Sequence, residues 1–184
     1  MGVSYKNFWS LNTDEAVVAG ILRNKTKKEI EVLMPLNAQM KGVDLYLINT
    51  KTKKVATIQV KGSRAYEPQI REVREYGHGS AGWFFFKEDV VKKAVADYFA
   101  FLIYVIEESK DAGRRSISPH IVLVSTKDLK TISGKNKKTH GKKMFSYMIW
   151  VNPRTKKSFD FRDKKIDLSK YLDDKGINLV SKKL

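Results

Sequence analysis

The sequence predicts one α/β domain in which helices flank a mixed β-sheet. Its 184 residues are enough to bury the core of a single domain. Hydrophobic residues make up 42% of the chain and charged residues 30%, which is typical of a folded protein. Helical and strand patterns succeed one another along the chain, with no internal repeat and no long linker. The prediction is therefore a single domain over residues 1–184.

The first third of the chain predicts a helix followed by three strands. Asn12 or Thr13 can cap a helix over residues 14–22, whose acidic first turn suits the helix dipole. Three segments then alternate apolar and polar residues, as half-buried strands do. The polar segment 50–54 predicts a hairpin loop between the second and third strands. The three strands are predicted over residues 28–34, 43–48 and 55–61.

The later segments are predicted to extend the sheet. The polar connection 64–82 is longer than an ordinary turn and holds a short helical pattern around residues 69–75. Apolar residues at helical spacing predict the longest helix over residues 88–109. Short apolar or alternating runs predict four more strands, and a final short helix is expected before Gly176. The strands are predicted over residues 83–86, 119–125, 144–151 and 158–161, and the helix over 168–175.

The charge balance points to the class of partner. The chain holds 36 Lys and Arg against 20 Asp and Glu, a formal net charge of +16. Residues 127–184 hold seventeen basic and six acidic residues, so a net +11 lies in the last third. An excess of this size favours a polyanionic partner, nucleic acid above all. The alternative is a lysine-rich surface that is merely solvated.

Composition also excludes several classes of site. The chain has no cysteine, which rules out disulfides and thiolate metal sites. No apolar run approaches the roughly 20 residues that a membrane-spanning helix needs. Residues 1–10 lack the basic head and apolar block of a secretory signal. The expectation is a cytoplasmic protein with no membrane partner.

Polar residues mark the second and third predicted strands. Asp44 opens the second strand, and Gln59 and Lys61 close the third. Residues two apart on a strand point to the same face, so Gln59 and Lys61 project together. A carboxylate, an amide oxygen and an ammonium in one patch suit a hard divalent cation beside a proton donor or base. This is the chemistry of phosphodiester hydrolysis.

Such a patch requires an irregular hairpin. An unbroken ladder would pair Asn49 with Val55. Asp44 would then lie on the face opposite to Gln59 and Lys61. Bringing the three side chains together requires a register shifted by one residue, or a bulge.

Glu15 is the fourth candidate. It lies in the first turn of the predicted helix, on the face that it shares with Leu22. A carboxylate on an apolar stripe is costly unless it is paired or bound to metal. The alternative is a helix-start charge that leans outward.

Taken in order, these motifs resemble the PD-(D/E)XK nuclease superfamily. Its members place a glutamate on a first helix, an aspartate on the second strand and Glu-x-Lys on the third. The matching residues are Glu15, Asp44 in Gly-Val-Asp-Leu, and Gln59 and Lys61 in Gln-Val-Lys. The glutamine variant is similar to that of Mrr-like restriction endonucleases. The resemblance covers residues 8–63, extends loosely to residue 125, and implies a restriction-endonuclease-like three-layer sandwich with a central mixed sheet flanked by helices.

The resemblance implies a metal-dependent DNA endonuclease. Asp44 would bind Mg²⁺ or Mn²⁺, with Glu15, Gln59 and the backbone carbonyl of Val60 completing the shell. Lys61 would orient or deprotonate the attacking water, or stabilise charge on the phosphate. The implied partners are DNA and, because two-strand cleavage is commonly achieved by pairing two such domains, a second copy of the chain. Gln59 supplies a neutral oxygen where many relatives supply a carboxylate, so loss of catalysis with retained DNA binding is an open alternative.

Phosphate contacts are predicted from two segments. Ser63 and Arg64 directly follow the Gln-x-Lys strand. Residues 133–143 hold five lysines, no acidic residue and a glycine near each end, which predicts a flexible basic loop suited to phosphate contact. The predicted contacts in this loop are Lys135, Lys137, Lys138, Lys142 and Lys143.

Other chemistry has weaker signals. His78, His120 and His140 show no metal-ligand spacing, and His120 beside a buried strand is typical of a packed core residue. A Ser-His-Asp triad stays open, although the nucleophile-elbow motif is missing. The two open alternatives to a nuclease are a catalytically silent nucleic-acid-binding protein and an RNA-directed protein with Trp83 and the phenylalanine run 84–86 as stacking residues.

Overall fold

The computed structural model describes residues 13–35, 42–108, 115–136 and 143–184. The elements are, in chain order, α1 (Thr13–Lys25), β1 (Ile30–Leu33), β2 (Leu45–Asn49), β3 (Val55–Gly62), α2 (Ile70–Tyr76), β4 (Ser80–Lys87), α3 (Glu88–Lys92), β5 (Tyr98–Glu108), β6 (Arg115–Ser125), α4 (Thr126–Asn136), β7 (Met144–Asn152), β8 (Lys157–Asp160), β9 (Ile166–Asp167), a 3-10 helix (Ser169–Tyr171) and α5 (Asp173–Ser181).

Five strands form a mixed sheet in the order β1-β2-β3-β5-β6. Strands β1, β2 and β3 pair antiparallel in chain order. Strand β5 then pairs with β3 in parallel, and β6 returns antiparallel to β5. A parallel neighbour needs a crossover connection, which α2, β4 and α3 provide.

Strand β4 leaves this crossover to join a second sheet. The second sheet has the order β4-β7-β8-β9, and all its pairs are antiparallel. It packs on one face of the mixed sheet, where Phe84 and Tyr147 meet Phe101 of β5.

Strand β5 is buried on both faces and separates two cores. One face, with Ala100 and Leu102, packs against residues of α1 and α5. The other face, with Phe99 and Phe101, packs against the second sheet. The layers are therefore helices, mixed sheet and second sheet. The predicted α/β class with a central mixed sheet is confirmed, but one flank of that sheet is covered by strands instead of helices.

The predicted long helix over residues 88–109 is wrong. Only Glu88–Lys92 is helical there, and Tyr98–Glu108 forms β5, the strand between the two cores. In a continuous apolar run every position is apolar, so helical spacing is satisfied whatever the structure is. Because β5 is buried on both faces, it lacks the alternation that would have identified a strand.

The C-terminal helix is displaced from its predicted place at residues 168–175. Helix α5 covers Asp173–Ser181, and Gly176 lies within it instead of ending it. A Cβ on residue 176 would collide with the Tyr171 carbonyl. Glycine here allows the helix to approach the preceding turn closely. In the sequence alone, a glycine kept for this packing cannot be told from a glycine that ends a helix.

The basic segment predicted as a loop over residues 133–143 begins inside a helix. Helix α4, which the sequence did not predict, runs over Thr126–Asn136. The loop prediction is therefore wrong for residues 133–136, while residues 137–142 lie outside the described residues. Most other elements, including α1, β1 to β3 and α2, lie within a few residues of their predicted places, whereas β9 was not predicted. Within the described ranges no helix is long and apolar enough to cross a membrane.

Candidate active site

The hairpin of β2 and β3 has the shifted register that the candidate site requires. Leu45 pairs with Ile58 and Ile48 pairs with Val55, one residue away from the unbroken ladder. Two hydrogen bonds continue the hairpin past its last ladder pair. The backbone N of Asp44 donates to the carbonyl of Ile58 at 2.8 Å, and its Oδ2 accepts from the backbone N of Val60 at 2.7 Å. The Asp44 carboxylate therefore lies against the backbone that flanks Gln59.

Strand β3 separates its apolar and polar residues by face. Ala56, Ile58 and Val60 are buried on the face that packs with α1 and α5. Gln59 and Lys61 are half-buried on the opposite face, beside Phe99 and Phe101 of β5. The prediction that Gln59 and Lys61 share one face follows from this alternation.

Glu15 reaches the site from the start of α1. The helix buries Glu15, Val18 and Leu22 on one face, and Glu15 is only 7% exposed. The first turn of α1 lies at the C-terminal end of β3, because the Asp14 carboxylate sits directly against Gly62. Glu15 therefore lies near the end of β3 that carries Lys61.

Lys61 experiences the charges of both carboxylates. Burial lowers the pKa of Lys61 below its usual 10.5, and the negative charges of Asp44 and then Glu15 partly oppose that shift. Desolvation therefore outweighs attraction at this lysine. Two acids and one base thus form an electrostatically coupled cluster at the end of β3, and we call Glu15, Asp44, Gln59 and Lys61 the β3 site.

Asp14, Gly62 and Tyr104 support this cluster, and the sequence reasoning missed this role. The Tyr104 hydroxyl donates to Asp14 Oδ1 at 3.1 Å, which ties α1 to β5. Burial raises the pKa of Tyr104, and its bond to Asp14 adds to the rise. Gly62 leaves the space that the Asp14 carboxylate occupies. The only sequence signal was a glycine immediately after the Gln-x-Lys strand.

The predicted metal ligands include only two acidic side chains, Glu15 and Asp44. Among the described residues, no group of three or more His, Cys, Asp or Glu side chains is positioned to hold a metal ion. The remaining predicted ligands are the neutral oxygens of the Gln59 amide and the Val60 carbonyl.

The predicted phosphate contacts differ in their surroundings. The Ser63 hydroxyl accepts a hydrogen bond from the backbone N of Trp83 at 2.9 Å and donates to the Arg64 carbonyl at 3.1 Å. Ser63 therefore links β3 to β4 as well as lying near the surface. Arg64 and Lys143 are exposed. Lys135 lies in α4, and Lys137, Lys138 and Lys142 lie outside the described residues.

A second acid–base group lies on β6, two strands from β3 in the mixed sheet. His120 Nδ1 is 2.8 Å from Asp173 Oδ2, and His120 Nε2 is 3.3 Å from the Ser118 hydroxyl. The other oxygen of Asp173, Oδ1, accepts the backbone N of Ile121 at 3.0 Å. The order of atoms is that of a Ser-His-Asp triad. Both oxygens of Asp173 bind β6, so we interpret the group as a clamp that fixes the start of α5, and call Ser118, His120 and Asp173 the α5 clamp.

Comparison of the chain with protein-family models, curated proteins and solved structures finds no match.

Proposed function

We propose that the chain is a metal-dependent DNA endonuclease that hydrolyses phosphodiester bonds at the β3 site. The observation that carries the proposal is the one-residue shift of the β2–β3 hairpin, which sets the Asp44 carboxylate against the backbone N of Val60, next to Gln59. The same register places Leu45 and Leu47 opposite Ile58 and Ala56 on the buried face, so a single pairing serves both the core and the candidate site.

The order of elements gives further support. A helix that carries Glu15 precedes three antiparallel strands, with Asp44 directly before the second and Gln59 and Lys61 on the third. This is the order that the resemblance to PD-(D/E)XK nucleases implies for residues 8–63. The later chain departs from the prediction, because α3 and β5 replace the predicted long helix.

The donor set fits Mg²⁺ or Mn²⁺. Mg²⁺ takes hard oxygen ligands, keeps several waters, and is commonly held by one or two carboxylates together with substrate phosphates. Asp44 and Glu15 would hold the ion, with the Gln59 amide oxygen and the Val60 carbonyl as neutral ligands. When bound, the metal would polarise the scissile phosphate and lower the pKa of its water.

Lys61 would handle the proton and the phosphate charge. Its lowered pKa makes the neutral amine more accessible than in an exposed lysine, so it is suited to accept a proton from the attacking water. In its charged form the same group would stabilise the extra negative charge of the transition state. Asp44 and Glu15 would hold Lys61 in position by attraction. The net charge of +16 would bring the polyanionic substrate to the surface.

The test is a cleavage assay on plasmid, linear duplex, single-stranded and branched DNA, with Mg²⁺, Mn²⁺ or EDTA. We expect cleavage with metal and none in EDTA. Asp44→Asn should abolish it, whereas Asp89→Asn, purified in the same way, should cleave normally, because Asp89 is an exposed partner of Lys93 on α3. Equal residual cleavage by all three proteins would indicate a contaminating nuclease and contradict the proposal.

A catalytically silent DNA-binding protein is the second candidate. The neutral Gln59 and the shortage of acidic ligands among the described residues favour it. Such a protein would bind DNA in EDTA as tightly as in Mg²⁺ and cleave none of the four substrates. Binding without cleavage by wild-type protein would therefore replace the first proposal with this one.

A further inference from the structure

The outward face of β4 is covered at one end and open at the other. Near the pair of Ala81 on β4 with Trp150 on β7, Tyr76 of α2 packs on Trp150, Phe159 and Phe161, with ring centroids 5.5, 5.0 and 4.9 Å from that of Tyr76. Further along the same face, beyond the rings packed around Tyr76, Trp83 is 52% exposed.

Phe85 continues this open face. It lies two residues beyond Trp83, on the same side of β4, and is 58% exposed. Between them Phe84 turns inward and packs in the core between the sheets. Residues two apart on a strand lie about 6.8 Å from each other, so the two rings form one surface. Two large exposed aromatic rings side by side mark an interaction site more often than a single one does.

The indole ring of Trp83 is held in a fixed orientation. Its Nε1 donates to the Ser146 hydroxyl at 2.9 Å, and its backbone N donates to Ser63. The guanidinium of Arg162 lies 5.9 Å from the ring centroid. The polar edge of the ring is thus satisfied by the protein, and a cation already lies near its π-face.

A concave surface connects these rings to the β3 site. Gly62, Ser63, Arg64, Tyr66, Trp83 and Phe85 line a cavity of about 520 Å³, and none of these six residues is acidic. Gly62 directly follows Lys61 in the chain. A ligand in this cavity would therefore meet aromatic faces on one side and the cations Arg64 and Arg162 nearby.

We propose that Tyr66, Trp83 and Phe85 form a platform that stacks an unpaired base of a DNA strand. Aromatic rings beside cations are the combination that binds single strands, because every base has a π-face and every nucleotide has a phosphate. Intact duplex keeps its bases stacked inside and offers no face to such a platform. The substrate class would then be DNA with single-stranded or unpaired nucleotides next to the cleaved bond. This substrate class rests on the proposed function, but base stacking itself does not.

The test measures binding in EDTA, so that catalysis plays no part. Three fluorescent DNA probes of equal length are compared: oligothymidylate, the same strand with two central abasic nucleotides, and a duplex. Wild-type protein should prefer the thymidine strand over the abasic strand by about tenfold or more. Phe85→Leu and Trp83→Ala should lose that preference while binding the abasic strand as wild type does, and Trp83→Phe should keep most of it.

Ile117→Ala is the matched control, because Ile117 is 59% exposed on β6 and should leave the preference intact. Equal binding of the thymidine and abasic strands by wild type would overturn the platform, as would an undiminished preference in Phe85→Leu. Loss of binding to both strands by a variant that melts normally would also overturn it, since the rings would then be acting as a general contact. Tighter ring-dependent binding of the matching RNA strand would overturn the assignment to DNA.

The outcomes for the two proposals are separable. A preference for the thymidine strand without cleavage in Mg²⁺ or Mn²⁺ would support the stacking platform and contradict the nuclease proposal. Cleavage without that preference would support the nuclease proposal and contradict the platform.

Discussion

The β3 site and the α5 clamp both bring carboxylates to a nitrogen base, but they use the charges differently. In the clamp, each oxygen of Asp173 binds a different group of β6, the His120 ring and the Ile121 backbone. In the β3 site, Lys61 is desolvated beside two carboxylates, and its pKa is lowered in spite of them. The comparison teaches that a short acid–base distance does not by itself indicate catalysis. A clamp uses its bonds to fix two elements, whereas a reactive site retains a group whose protonation is easily changed.

The largest expected difference between the two regions is in DNA cleavage. Lys61→Ala removes the proposed proton acceptor and should reduce the cleavage rate by about 100-fold or more. His120→Ala and Ser118→Ala should leave the rate within about twofold after correction for the folded fraction. Initial rates of plasmid nicking in Mg²⁺ measure both effects. A loss of cleavage in Ser118→Ala would indicate that the active site lies at the clamp and would contradict its purely structural role.

The next effect concerns the support of the β3 site. Gly62→Ala should destabilise the protein by about 1–3 kcal/mol, because the new Cβ would collide with the Asp14 carboxylate. It should also reduce cleavage by displacing the first turn of α1. Chemical denaturation measures the stability, and adding Asp14→Ala should restore part of it.

Gly20→Ala is the control for this glycine. A Cβ on residue 20 of α1 meets no atom within 4 Å, so the variant should be stabilised by up to about 1 kcal/mol through helix propensity. Equal stability of the Gly62 and Gly20 variants would show that the end of β3 is not tightly packed against α1.

The clamp should contribute to stability where the β3 site does not. His120→Ala removes a bond to a carboxylate between two mostly buried side chains and should destabilise the protein by about 1–2 kcal/mol. Ser118→Ala removes only the longer contact to His120 and should have a smaller effect. Urea denaturation at constant pH gives both values. An unchanged midpoint for His120→Ala would contradict the structural role of the clamp.

The smallest effect is a pH dependence of stability that arises from Lys61. Its pKa in the folded protein is below the usual 10.5, so the unfolded chain binds more protons between those two values. The free energy of unfolding should therefore rise as the pH increases from the folded-state pKa of Lys61 to 10.5. Below the folded-state pKa, the full cost of burying the charged ammonium lowers the stability. Lys61→Met should be more stable than wild type at neutral pH, with an advantage that shrinks as the pH approaches 10.5. Lys54→Met, at an exposed lysine, should show no such trend.

The sequence predicted the first half of the fold better than the second for a physical reason. Strand β3 is apolar on one face only, so its alternation identified both the strand and the shared face of Gln59 and Lys61. Strand β5 is apolar on both faces, which made its run indistinguishable from a helix. The second sheet could not be predicted either, since strands β4 and β7 are far apart in the chain and pair only in three dimensions.

Within the candidate site, the register was predictable and its supports were not. The need to bring Asp44 beside Gln59 and Lys61 demanded a shift of one residue, and the hairpin has it. The contact of Asp14 with Gly62 and the bond from Tyr104 depend on how α1 lies across the sheet. No pattern within one segment of sequence carries that information.

Paramagnetic broadening by Mn²⁺ tests the central claim most directly, because it reads both regions in one spectrum. In ¹H–¹⁵N spectra of wild-type protein, Mn²⁺ added in small amounts should broaden the backbone signals of Asp44 and of residues 59–62. The signals of Ile121 and Asp173, two strands away, should broaden less at the same Mn²⁺ concentration. Asp44→Asn should abolish the broadening at β3, whereas His120→Ala should leave it unchanged. Selective broadening at the clamp, or none at the β3 site, would contradict the assignment of Glu15, Asp44, Gln59 and Lys61 as a metal-dependent active site.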